Sequence, residues 1–245
     1  METGGTGRLT GFRSGCRNSL IPANGVLNAP NFAFGCSCSY SIFTSLALMH
    51  IPESDMWTYS AHKAQDGPVR QLGINLGALG DRTAENGTLW MDYPSVGGSS
   101  PNVPIKLVTD KPEWFRLPST QVEGEGLSWV AASGVSGVKS IQLPVFIGKE
   151  GDKGPERTYT VRLSFVEPTG AEPGERTFDV SIQNTVVAQD LDVVGEAGGA
   201  RRILVREFGG IKADGGAVTI TFTPKAGRAL VSGVEIVAEA ADAGR

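Results

Sequence analysis

The sequence predicts an all-β fold, an antiparallel sandwich or barrel, and two observations carry that prediction. First, apolar residues alternate with polar ones over Tyr159-Thr-Val-Arg-Leu-Ser-Phe165, and the same period of two returns at Phe178, Val180 and Ile182 and again over Ala217 to Thr223. That period marks a strand with one buried face. Second, turn signals punctuate these runs: a Gly, Pro and Glu-rich stretch from Pro168 to Glu175, then Asn184-Thr185. Short alternating strands separated by turns every ~8–12 residues belong to sandwiches and barrels. About ten strands in two antiparallel sheets are expected over residues 69 to 237, with almost no helix.

Composition narrows the functional classes. The chain has 245 residues and a formal net charge of -4, with 33 Gly and 14 Pro. That length holds one large β domain with an appendage. A nucleic-acid partner would need a basic face, which this balance does not supply. No apolar run reaches the ~18 residues that span a bilayer. Residues 1 to 15 carry no apolar core of a signal peptide; the chain is expected to be a fragment of a longer exported protein, periplasmic or extracellular.

The N-terminal part, residues 1 to 60, reads as a β-meander and linker. Short apolar runs flank Asn24-Gly25, a strong hairpin signal. Cys16, then Ile21-Pro22-Ala23-Asn24-Gly25, then Cys36-Ser-Cys38-Ser-Tyr40 resemble the last blade of bacterial PQQ-type β-propeller repeat proteins. The resemblance covers roughly residues 12 to 50 and implies missing upstream blades and a propeller or protein partner. One blade has exposed edges and little core, so this segment is not expected to fold alone. Cys16, Cys36 and Cys38 are an odd set. In an oxidising compartment Cys16 can pair with Cys36 or Cys38; a Cys36–Cys38 bond would close a strained ring. A structural zinc site wants four ligands, and His50 and His62 lie outside the usual spacing. Met56, Trp57 and Tyr59 follow in the linker, where aromatic side chains dock by burying area.

The sandwich is expected over residues 61 to 245. Leu72-Gly-Ile-Asn-Leu-Gly77 reads as its first strand, Gly80 to Thr88 as a polar loop, and Leu89-Trp-Met-Asp-Tyr-Pro94 as the next strand. Pro101 to Thr109 alternates weakly, Glu113-Trp-Phe-Arg116 follows a proline, and Leu127 to Ala132 and Val138 to Phe146 are read as strands. The opening pattern, Tyr159 to Pro168, Glu175 to Ile182, Asp190 to Gly199, Val218 to Phe222 and Ala229 to Ile236 together resemble a malectin-type domain. The resemblance implies a jelly-roll-like β-sandwich and carbohydrate binding. Lys225-Ala-Gly-Arg228 stands where malectin carries a segment with Tyr and Asp.

Catalytic motifs are missing from the sequence: no G-x-S-x-G elbow, Walker loop or H-E-x-x-H is present. Asp179, Asp190 and Asp192 are candidate carboxylates for glycoside hydrolysis, but solvated strand and turn positions are their commoner fate. Asp81, Glu85 and Asp92 could offer oxygen to calcium, without EF-hand spacing; no cofactor is expected otherwise. A sugar site stacks a pyranose face on an aromatic ring and bonds hydroxyls with polar side chains. Asp81, Trp90, Tyr93, Trp114 and Phe115 are the expected sugar-site residues, and Trp129 is expected in the core. The function expected is a noncatalytic carbohydrate-binding module; the alternative is a structural or interaction module that caps a propeller or mediates assembly without a sugar site.

Overall fold

In a computed structural model of the chain, residues 19–30, 45–49, 55, 57–58, 66–95, 103–148, 154, 156–214 and 216–239 are described. The chain divides into two compact units, Thr6–Asp55 and a larger one carrying Met56–Arg245. In the smaller unit Ile21–Ala23, Val26–Ala29 and Leu46–Met49 form an antiparallel sheet. Asn24 and Gly25 have φ of 51° and 75°, the left-handed pair that a two-residue hairpin turn requires. Cys16, Cys36, Cys38, His50 and His62 lie outside the described residues.

The larger unit is a sandwich of two sheets. Its elements are β1 (Gln71–Leu76), β2 (Arg82–Thr83), β3 (Leu89–Tyr93), β4 (Lys106–Arg116), α1 (Ser128–Ala131), β5 (Ser133–Pro144), β6 (Thr158–Phe165), β7 (Thr177–Ile182), β8 (Thr185–Asp192), α2 (Val193–Ala197), β9 (Leu204–Lys212), β10 (Ala217–Ala226), β11 (Leu230–Val231) and β12 (Gly233–Ala238). One sheet runs β9-β6-β12-β1-β3-β2. The other runs β8-β7-β10-β5-β11, with β4 paired to β5. A short ladder of Gly67–Pro68 with Phe146–Ile147 stands apart from both.

The alternation read from the sequence becomes the core. Tyr159, Val161, Leu163 and Phe165 of β6, Phe178, Val180 and Ile182 of β7, and Val218, Ile220 and Phe222 of β10 are all buried. Phe178 packs tilted against Phe165 at 6.0 Å and edge-on against Phe222 at 6.2 Å. Side chains from the two inner faces thus meet in one apolar layer, which is what holds a sandwich together. The Tyr159 hydroxyl donates to the Val69 carbonyl at 3.1 Å, and burial raises its pKa above the ordinary phenol value.

Four local readings need correction. Leu127 to Ala132 is not a strand: Ser128–Ala131 make one helical turn closed by the Ala132 N–H on the Ser128 carbonyl at 2.8 Å. Two consecutive alanines favour the helix, and Trp129, Val130 and Ala131 are all buried, so no strand-like alternation exists there. Asp190 is in β8, not a turn, and Asp192 caps α2, its Oδ1 accepting from the Gly195 N–H at 3.0 Å. The two segments expected before and after Pro112 fuse into the single strand β4. Its register on β5 shifts between Thr109 and Glu113, so Asp110, Lys111 and Pro112 form a bulge. Lys111 takes φ of 47° there. Proline without an N–H is tolerated on such an edge strand at a bulge. Finally, one pairing is parallel: β1 against β3, with Gly73 opposite Trp90.

Candidate functional site

A groove of about 220 Å³ lies beside the end of β4, lined by Gly77, Ala78, Pro94, Trp114, Phe115 and Arg116. Three chain segments meet in it. Gly77 follows β1, Tyr93-Pro94 ends β3 with a cis peptide bond, and Trp114 to Arg116 close β4. The Gly77 N–H donates to the Tyr93 carbonyl at 2.7 Å. The Gly77 carbonyl accepts from Arg116 twice, from Nε at 2.9 Å and from Nη2 at 2.6 Å. One residue therefore clamps both neighbouring segments through its backbone.

Gly77 can do this because its φ is +77°, a region that costs side-chain-bearing residues steric energy. A Cβ there would still meet its nearest neighbours at an ordinary 3.5 Å. Replacing Gly77 by Ala is therefore expected to destabilise by backbone strain alone, about 1–2 kcal/mol. Urea unfolding should show a lower midpoint with an unchanged slope.

The aromatic pair has two functions in the fold. The Phe115 ring is half-buried and packs toward Val122, Ala131, Ala132, Val166 and Ile203. Its partner across the ladder is Gly134, where a Cβ would stand 2.5 Å from the Phe115 ring. Trp114 is 42% exposed, unusual for so large an apolar ring. The strand thus fixes Phe115 as an anchor and holds out Trp114.

The five expected site residues separate into two groups. Tyr93, Trp114 and Phe115 come together at the groove, Tyr93 through its backbone while its ring packs on the main core. Asp81 and Trp90 do not join them. Asp81 is fully buried, exchanging backbone hydrogen bonds with Thr58 and accepting from the Asp92 N–H at 3.3 Å. Trp90 is 2% exposed and offers no stacking face to solvent. Its ring fills the notch left by Gly73, where a Cβ would stand 2.5 Å away, and meets Trp129 edge to face at 6.1 Å. Trp57 also meets Trp129 edge to face at 6.1 Å, and the Arg82 guanidinium lies 4.7 Å from the Trp129 ring centre. Gly77, Pro94 and Arg116 were not anticipated; the Arg116 signal was its place directly after Trp114-Phe115 on one strand.

The candidate catalytic carboxylates have structural partners. Lys225 bridges Asp179 at 2.9 Å and Asp190 at 2.8 Å, and the Asp190 N–H donates to Asp179 at 2.8 Å. The Asp190 N–H and the Lys225 ammonium lower the Asp179 pKa below the usual carboxylate value. A general acid for glycoside cleavage needs a shift in the opposite direction. Asp192 is occupied by Gly195 and by the Gly174 N–H at 2.7 Å. Among the described residues no group of three His, Cys, Asp or Glu side chains is placed to hold a metal ion.

Two other hollows are chemically different. One of about 540 Å³ is walled by Gly170–Pro173, Val194, Gly195 and Gly198–Ala200, with no aromatic ring. The other, about 320 Å³, lies at the β4 bulge, where Lys139 pairs with Asp110 and Arg228 with Glu113, and Lys111 lies on the same wall.

Residues 153–241 match the Malectin domain family. The matched stretch begins just ahead of β6 and runs past β12. No curated protein matches the chain in sequence. Among solved structures, Bacteroides uniformis beta-glucuronidase 2 covalently bound to cyclophellitol-6-carboxylate aziridine aligns with a TM-score of 0.52 and 17% identity over 69% of this chain. A calcium-binding mutant of the same enzyme aligns at 0.53, with 18% identity over 69% of this chain. A chain of the plant complex of peptide RALF23 with FER and LLG2 aligns at 0.50, with 18% identity over 71% of this chain. This chain spans 18% of the length of each glucuronidase and 49% of the plant chain. At these identities the likeness is one of fold: a malectin-like β-sandwich. Among the described residues no helix is long and apolar enough to cross a membrane.

Proposed function

We propose that the sandwich is a noncatalytic carbohydrate-binding module of an exported protein, with Trp114, Phe115, Pro94 and Arg116 forming its sugar site. The observation that carries this reading is the exposed Trp114 ring held on a strand beside a backbone-clamped groove. Apolar contact from the ring and a few fixed polar groups are the usual means of holding a small polar ligand. Residues 12 to 50 would then be the end of a propeller that carries the module. The structural roles of Asp179, Asp190 and Asp192 support a binding rather than a hydrolytic site.

The test is titration of the chain with glycans from an array, followed calorimetrically. Binding no tighter than about micromolar, near -8 kcal/mol, is expected of so shallow a site. Trp114→Ala should weaken it by ~1–3 kcal/mol, as for an exposed interface aromatic, with an unchanged melting temperature. A second reading, an interaction module without a sugar site, draws support from the plant complex, in which the peptide RALF23 is present. Absence of any glycan shift, with a Trp114→Ala variant that melts early, would favour it.

A further inference from the structure

We infer that the groove selects a saccharide ending in a carboxylate, a terminal uronic acid; this rests on the glycan reading above. Among the described residues Arg116 is the only charged side chain lining the groove. A guanidinium carries five N–H donors in a rigid fork and offers two bidentate edges. The Nε–Nη2 edge of Arg116 is spent on the Gly77 carbonyl. That carbonyl is neutral, so it orients the cation without cancelling its charge. Among the described residues no carboxylate pairs with Arg116. The chain that continues from Pro94, residues 95–105, contains no charged residue, so its sequence supplies no carboxylate to compete.

Among the described residues the Nη1–Nη2 edge is therefore an exposed cation without a carboxylate partner, oriented by Gly77 beside an exposed indole. A planar carboxylate fits that edge with two parallel hydrogen bonds, which a hydroxyl cannot do. Pinning by Gly77 removes much of the ordering cost that a free arginine would meet on binding. The groove's 220 Å³ lies below the ~300–1,000 Å³ of pockets for drug-sized ligands. It suits one sugar ring, hence a chain end.

The experiment titrates the full chain with short oligosaccharides ending in glucuronic, galacturonic or mannuronic acid. Each is matched with its methyl ester and with the neutral sugar bearing a 6-sulfate. In at least one configuration the acid should bind about tenfold or more tighter than its ester, since a charge-assisted pair replaces a neutral contact. That advantage should shrink between ~50 mM and ~500 mM salt. The acid-to-ester ratio should fall in Arg116→Lys, which keeps the charge without the fork, and vanish in Arg116→Gln. Because each ratio is taken within one protein, a general loss of folding does not mimic it. Esters binding as well as acids would overturn the inference and leave the glycan reading intact. Sulfates ahead of uronates would overturn the carboxylate assignment, and an acid preference surviving in Arg116→Gln would overturn the assignment to Arg116. If no saccharide of any kind binds, both readings fall together.

Discussion

Replacing Arg176 by Met should lower stability by about 3–5 kcal/mol, the cost of stranding a buried charge. The stranded group is Glu167, which is fully buried at the end of β6. Its carboxylate accepts from the Thr169 N–H and hydroxyl at 3.2 and 2.7 Å and from Arg176 Nε at 2.6 Å. Arg176 also donates through Nη1 to the Ser136 hydroxyl at 3.1 Å and to the Arg228 carbonyl. It therefore ties the loop before β7 to β5 and to the turn between β10 and β11. For a domain of this size each kcal/mol shifts the melting temperature by roughly 2–4 °C, so a fall of roughly 6–20 °C is expected. Calorimetry or thermal circular dichroism measures it. A double change, Arg176→Met with Glu167→Leu, should recover much of the loss, because no charge is then left without its partner. Glu207→Ala is the control. Glu207 pairs with Arg162, but its side chain is 56% exposed, so its loss should cost no more than about 1 kcal/mol. Equal costs for Arg176→Met and Glu207→Ala would refute the view that burial distinguishes the two pairs.

Trp90→Ala should cost a comparable ~3–5 kcal/mol, here through an emptied core site. The ring lies over Gly73 of β1 and near Gly233 of β12, where a Cβ would come within 2.8 Å of it. Gly73 and Gly233 have no side chain to reach into the space, and Trp129 and Val130, which also border it, are held in the same packed cluster. Trp114→Ala, by contrast, should leave the melting temperature nearly unchanged. The two substitutions remove the same side chain from strands of one domain. Their difference in equilibrium unfolding measures what separates a packing tryptophan from a displayed one. Similar melting losses for both would place Trp114 in the core and remove the basis of the proposed sugar site.

The strands of the second half were legible because one face is buried and the other wet. Tyr159 to Phe165 shows this most plainly, and its reading needed no tertiary information. Trp90 was not legible for the opposite reason. In Leu89 to Tyr93 both faces are covered, Met91 joining the main core and Trp90 lying under Trp57 and Trp129. Alternation then stops reporting which side meets solvent. A usable signal was present in Gly73, an otherwise costly residue inside a strand. The short helix α2 was signalled too, with Asp192 at its N-cap and Gly198 at φ of 77° closing it. Arg176 was hidden among Glu175, Gly174 and Pro173, where composition suggests a solvated turn. Arg116 was passed over as an ordinary strand end, because the acceptor that positions it is a backbone carbonyl far away in sequence.

The unequal placement of the tryptophans has an optical consequence. Trp57, Trp90 and Trp129 stand edge to face in a chain of rings 6.1 Å apart. Such a trio couples its electronic transitions and should dominate the near-ultraviolet dichroism. Trp114 stands outside it and half in water. The red edge of the emission therefore belongs mainly to Trp114, and a quencher dissolved in the buffer reaches that ring first. The protein carries its own reporter of groove occupancy: a bound sugar would shield Trp114 from iodide or acrylamide while leaving the dichroism of the other three rings unchanged.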